Sequence, residues 1–203
     1  MAKRILLAGV LGGLAMFVWL SLAHVVLGMG SVGIKEFPDE QAVLGAMRTS
    51  LPQSGFYIFP GMGLPPGATR AQQNAAMQTY QQKIQDGPSG ILIYHPNGQK
   101  ALTPGQLMTE FSTNIAQGLL AAFLLSLATG LRSYAARVGF VTLAGIVAGI
   151  TTNLSYWNWY GFPASYTAAY ALTEIVGFLC IGLVAGAIIK HGSTAQMSAT
   201  AAA

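Results

Sequence analysis

Charge is what this chain has least of. Only 8% of its 203 residues are charged, with ten Lys and Arg against six Asp and Glu, whereas soluble domains carry roughly 25%. No basic cluster is long enough to follow a phosphate backbone, so the net charge of +4 does not imply a nucleic-acid partner. The single cysteine, Cys180, excludes an intrachain disulfide, and no CxxC or Cys/His grouping offers a zinc site. Inside an apolar run, Cys180 reads as a small buried hydrophobe. The histidines His24, His95 and His191 lack HxxxH or ExxH spacing, so no metal centre is expected. GxSxG, HExxH and Walker-type loops are missing as well. The Gly-rich "GMGLPPG" loses backbone donors to its prolines and opens no helix, which argues against a phosphate cradle. No internal repeat is evident. No catalytic residue and no cofactor is therefore assigned.

Apolar residues are plentiful, at 53%. They fall into four runs: residues 5–30, 114–131, about 138–154 and about 168–189. Each nears the roughly 20 residues that a helix needs to cross hydrocarbon. The first follows Lys3 and Arg4 but exceeds a signal-peptide core and lacks a following A-x-A site, so it reads as an uncleaved span. The expected fold is a membrane all-α protein of four transmembrane helices, with a small α+β insert between the first and second. The expected division is 1–30 as the first helix, 31–113 as an extracytoplasmic cap, 114–190 as helices two to four and 191–203 as a disordered cytoplasmic tail.

Flanking charges set the direction. Lys3, Arg4, Arg132, Arg137 and Lys190 all fall on one side if both termini are cytoplasmic, and no acid accompanies them. The long insert balances its charges. This satisfies the positive-inside rule. Trp157, Trp159 and Tyr160 lie in "SYWNWYGFPASY" as an interfacial aromatic belt would.

Within the insert, "FPDEQAVLGAMRTSLP" reads as a helix opened by Pro38 and ended before Pro52. "GFYIFPG" and "GILIYHPNG" read as strands, with their pairing direction open. Thr69 and Gln72 form a capping box for a helix "RAQQNAAMQTYQQKIQ" with a thin stripe of Ala76, Met77, Tyr80 and Ile84. "TPGQLMTEFST" starts with a Thr-Pro helix opening and should run into the second span.

Small residues recur at spacing four: Gly9 and Gly13, Gly145 and Gly149, Gly182 and Gly186. These patterns let helix backbones approach closely. Polar residues gather toward the opposite ends: His24, Glu110, Asn114, Gln117, Asn153 and Glu174. At 100° per residue His24 projects with Gly13, Asn153 with Gly149 and Glu174 with Ala185. An intramembrane polar cluster of His24, Glu110, Asn114, Asn153 and Glu174 follows. It serves either as interhelical hydrogen bonding or as a proton, ion or small-ligand site.

Several segments, "RILLAGVLGGLAMFVW", "GFYIFPG", "GPSGILIYHP" and "SYWNWYGFP", together resemble a group of small bacterial inner-membrane proteins with no assigned activity. The resemblance implies a bacterial cytoplasmic-membrane location and supplies no functional residue.

The expected function is that of a non-enzymatic membrane protein, an accessory or interaction subunit whose partners are the lipid bilayer and other membrane proteins or a second copy of itself. The alternative is a small transporter or channel component that uses Glu174 and His24. A third reading is an enzyme with His95, Glu110 and the Trp157/Trp159 segment at a cap–membrane junction.

Overall fold

In a computed structural model, residues 1–190 are described; the tail from His191 onward, including the expected disordered segment, lies outside them. The chain divides into two compact units, one formed by Lys35–Ala101 and the other by the segments on either side of it.

The helical unit starts with α1, Ala2–Ser21, which a π-turn prolongs through Leu22–Val26. Within Lys35–Ala101 come α2 (Glu40–Ser50), β1 (Gly55–Phe59), α3 (Arg70–Asp86) and β2 (Gly90–Tyr94). Asp39 caps α2 by accepting from the Ala42 N–H, so Pro38 stands one residue before the cap rather than inside the first turn. The Thr69–Gln72 capping box of α3 is formed in both directions. β1 and β2 pair antiparallel, with Phe56 opposite Ile93 and Ile58 opposite Ile91, which answers the open question of pairing. Two strands cannot enclose a core, and only Tyr94 is buried in this unit. Along the α3 stripe Ala76 and Tyr80 are half-buried, while Met77 and Ile84 stay exposed.

The helical unit resumes with α4, Pro104–Leu127, one unbroken helix that Thr103 and Gln106 open with a second capping box. Then follow α5 (Tyr134–Gly149), a π-turn (Ile150–Leu154), α6 (Ser155–Tyr160) and α7 (Ala164–Ile188). The stretch expected as a loop, 155–167, is therefore helical through Tyr160. In the π-turn the carbonyls of Val147, Ala148 and Gly149 accept from the side chains of Thr151, Thr152 and Asn153. Such bonds satisfy the side chains locally and accompany bending of a helix. Gly161 ends it at φ 69°, a left-handed position where a side chain would be strained. Pro163 then caps α7.

Among the described residues three helices are long and apolar enough to cross a membrane: Ala2–Val26, Tyr134–Tyr160 and Ala164–Ile188. The α4 helix has the length, at 24 residues, but Glu110, Asn114 and Gln117 dilute its first half. The burial pattern suits hydrocarbon. Ala8, Ala122, Ala185 and Gly12 are buried while Leu7, Leu120, Leu143 and Leu172 are exposed. In water that distribution would be reversed; in lipid, small residues at the contacts bring backbones together.

The long helices pack in the order α4, α1, α7, α5, with weaker contacts from α4 to α7 and α5. Gly9 and Gly13 lie against α4. A Cβ on Gly13 would sit 2.5 Å from the Asn114 carbonyl oxygen and 2.6 Å from the Ile115 Cα. From the other side, a Cβ on Gly118 would run into the Gly9 carbonyl oxygen and reach within 2.6 Å of the Gly13 nitrogen. The adjacent Gly12 turns to α7, where Ile181 lies against it, and Gly177 receives Met16 in return. Gly145, Gly149, Gly182 and Gly186 serve the α5–α7 contact. A Cβ on Gly145 would overlap Phe178, and one on Gly182 would lie 3.1 Å from the Val138 carbonyl oxygen. All six glycines expected at helix contacts are found there, joined by Gly12, Gly118 and Gly177.

Arg137 is more than a flanking charge. Its side chain is buried at 5% exposure. Nε donates to the Gly186 carbonyl at 2.9 Å, and a terminal nitrogen donates to the Arg132 carbonyl at 2.6 Å. Gly186 is within the last turn of α7, where carbonyls have no helical partner. The cation also meets the negative end of the helix dipole.

Replacing Gly118 with Leu should separate α1 from α4, because the obstructing atoms are backbone. We expect a loss of at least ~1–3 kcal/mol, the usual range for overpacking, read as a lower unfolding midpoint in mild detergent. An unchanged midpoint would show that the α1–α4 crossing does not hold the unit together.

Candidate functional site

The polar residues come from the first halves of α4 and α7 and from the π-turns that follow α1 and α5. On α4, Glu110, Asn114 and Gln117 follow at steps of four and three, one stripe of the helix. Asn114 is fully buried, and its Nδ2 donates to Glu110 Oε1 at 3.2 Å. Glu110 itself is exposed. Gln117 Oε1 is buried without a hydrogen-bond partner. Glu174, half-buried on α7, lies close enough to Glu110 for the two carboxylates to interact electrostatically. Among the described residues neither acid has an ion-pair partner.

Glu110 and Asn114 are thus joined by a hydrogen bond, with Glu174 within electrostatic reach of Glu110. His24 and Asn153 have other surroundings, and both lie in π-turns. A π-turn closes i→i+5 bonds, so a face projected at 100° per residue is no longer valid within it. His24 is exposed rather than turned with Gly13 toward α4. Its Nδ1–H donates to the Leu20 carbonyl at 2.9 Å, which assigns the proton to Nδ1 because a carbonyl only accepts. The ring stands edge-on to Tyr170 at 5.8 Å. Asn153 donates to the Gly149 carbonyl on its own helix.

Tyr170 belongs to a row of rings. Phe162, Tyr166 and Tyr170 recur every four residues along α7 and the turn before it, with centroids 5.4 and 4.3 Å apart. Tyr156 and Tyr160 extend the row onto α6. Trp157 and Trp159 are exposed, and Trp159 most of all, at 79%.

The direct polar link between α1 and α7 is one that the polar-residue count missed. Trp19 Nε1 donates to the Thr173 carbonyl at 2.9 Å. The Thr173 side chain, buried at 3% exposure, bonds back to the Ala169 carbonyl at 2.7 Å. A tryptophan inside an apolar run was the available signal, since a buried indole N–H takes a partner.

A second feature faces outward. Between α5 and α7 lies a groove of about 570 Å³ lined by Val138, Gly139, Thr142, Ile146, Leu179 and Leu183, among others. Gly139 is exposed, and a Cβ built on it meets nothing within 4 Å. Every other glycine in the interior of the long helices abuts a neighbouring helix.

No family model, curated protein or solved structure matches this chain. Among the described residues no group of three or more His, Cys, Asp and Glu side chains could hold a metal ion. Chemically, the Glu110–Asn114–Glu174 group can share a proton or fix helix positions. The groove can admit the side chains of a crossing helix.

Proposed function

We propose that this protein is a non-enzymatic membrane subunit that binds another membrane protein through the α5–α7 groove. The observation that carries the reading is Gly139. Helix association in lipid depends on small residues that admit a neighbour's backbone, and the other glycines in the interior of the long helices α1, α4, α5 and α7 serve that purpose. Gly139 is left open beside a groove of matching apolar lining. The partner is a transmembrane helix of another protein, crossing α5 near Gly139 and Thr142. In this reading α4 is a fourth span, both termini are cytoplasmic, residues 31–113 lie outside a bacterial inner membrane, and the basic residues Lys3, Arg4, Arg132, Arg137 and Lys190 face inward.

A second reading, a small transporter or channel component, draws on the Glu110–Asn114–Glu174 group. Two carboxylates within electrostatic reach, at least one of them half-buried, are unusual in a helix bundle unless they move a proton or an ion. His24, exposed and bonded to its own helix, is not required for this version.

Filling the groove with Gly139→Leu should leave the unfolding midpoint in detergent unchanged or raised, because glycine is a poor helix former. The same change should abolish crosslinking of the groove to a partner in native membranes. Retained crosslinking, or a chain that is solitary in gentle detergent, would count against the subunit reading. Glu174→Gln should leave partner binding intact; if it abolishes a pH-dependent flux in liposomes while the fold persists, the transporter reading gains. For the topology, an impermeant amine reagent applied from outside should reach Lys83, and labelling only after the membrane is opened would invert it.

A further inference from the structure

The β1–β2 ribbon has one face that is largely uncovered, only its Ile91 being half-buried. Antiparallel pairing sets Phe56 opposite Ile93 and Ile58 opposite Ile91, and directly paired residues project from the same side. This face is therefore four apolar side chains and nothing else. Phe56 is 63% exposed, Ile58 53% and Ile93 67%. The other face carries Tyr57, whose hydroxyl donates to the Gln53 carbonyl at 2.8 Å, and the buried Tyr94.

Charge is absent around it. Residues 49–69 and 87–99 contain no Asp, Glu, Lys or Arg. The charges of Lys35–Ala101 reside on α2, α3 and the two flanks. An element without charges can leave water with no ion to desolvate, which is the main cost of entering a lipid interface.

The size of the face helps choose its occupant. Its exposed apolar area is on the order of 400 Å², judged from the usual areas of such side chains. A stable protein interface takes about 800 Å² from each partner, so a second copy meeting this face alone would be held weakly. A bilayer surface sets no such threshold here. The ribbon is joined through the chain to helices that cross a membrane, so the lipid is already at high effective concentration and only a small gain is needed.

We infer that the Phe56–Ile58–Ile91–Ile93 face of the β-ribbon rests in the lipid interface of the same membrane that holds the helices. The four side chains enter the boundary between headgroups and acyl chains, and the ribbon lies flat, as amphipathic elements do. The inference needs only the membrane-spanning helices and is independent of what the α5–α7 groove binds.

The test uses the full chain with Cys180→Ala, reconstituted in phosphatidylcholine liposomes. Single cysteines at Ile93, at Phe56 and, for comparison, at Gln73 on α3 are labelled with an environment-sensitive fluorophore. At Ile93 and Phe56 we expect blue-shifted emission, several-fold stronger quenching by shallow nitroxide lipids than at Gln73, and protection from aqueous iodide. Using two ribbon positions guards against a label that disturbs one of them. Iodide access equal to that of Gln73, with the helices still folded, would overturn the inference. So would protection that appears only at high protein-to-lipid ratio, which would assign the face to a second copy. Protection found in native membranes but lost in pure lipid would assign it to another protein and equally overturn it.

Discussion

The helical unit depends on how closely α1 can lie against α4. Where Gly9, Gly13 and Gly118 meet, backbone touches backbone, and no side chain larger than hydrogen fits between them. In hydrocarbon, apolar side chains gain little by leaving lipid for protein, so contact distance replaces water exclusion as the organising force. Close approach draws the two axes together and lets short-range attraction act over many atoms. It also brings Phe17 edge-on to Phe111 at 5.4 Å. Because Gly12 and Gly13 are neighbours in sequence, α1 offers one close contact to α4 and another to α7. It is the helix through which the other two meet.

That central position accounts for the placing of polar groups. A helix held this near its neighbours can bury Asn114 on α4 and set Trp19 on a carbonyl of α7. Each such bond is modest in a membrane, about 0.6 kcal/mol on average and up to roughly 1.7. Of the Asn114–Glu110 and Trp19–Thr173 bonds, only the second joins separate helices, and it fixes the register of α1 on α7 more than it adds strength. The α5–α7 pair is arranged differently: four glycines lie along its contact, and the Arg137 side chain closes one end.

Much of this was legible in the sequence because lipid imposes simple patterns. Run length marked α1, α5 and α7, spacing of four found the six contact glycines, the Thr69–Gln72 box located the start of α3 and the Thr-Pro opening that of α4. What the sequence hid has definite causes. Gly118 follows Gln117, and a polar neighbour disguised the Asn114–Gly118–Ala122 row of compact residues. His24 and Asn153 sit where the helix adds a residue to its turn, so a constant angular step mislaid the first of them. The "SYWNWY" stretch looks like a loop by its aromatic composition, yet it continues the helix through Tyr160. Strand direction in the ribbon could not be read at all, since alternation fixes faces and leaves orientation open.

Arg137 has a consequence for how the chain is completed. The carbonyl that its Nε binds belongs to Gly186, two residues before the end of α7. A ribosome delivers that carbonyl 49 residues after the guanidinium that will hold it. A terminal nitrogen of Arg137 also bonds the carbonyls of Leu131 and Arg132, just before α5 begins. The final turn of α7 is thus closed by a side chain that stands 49 positions earlier in the sequence, so the end of the last helix is tied to the start of α5.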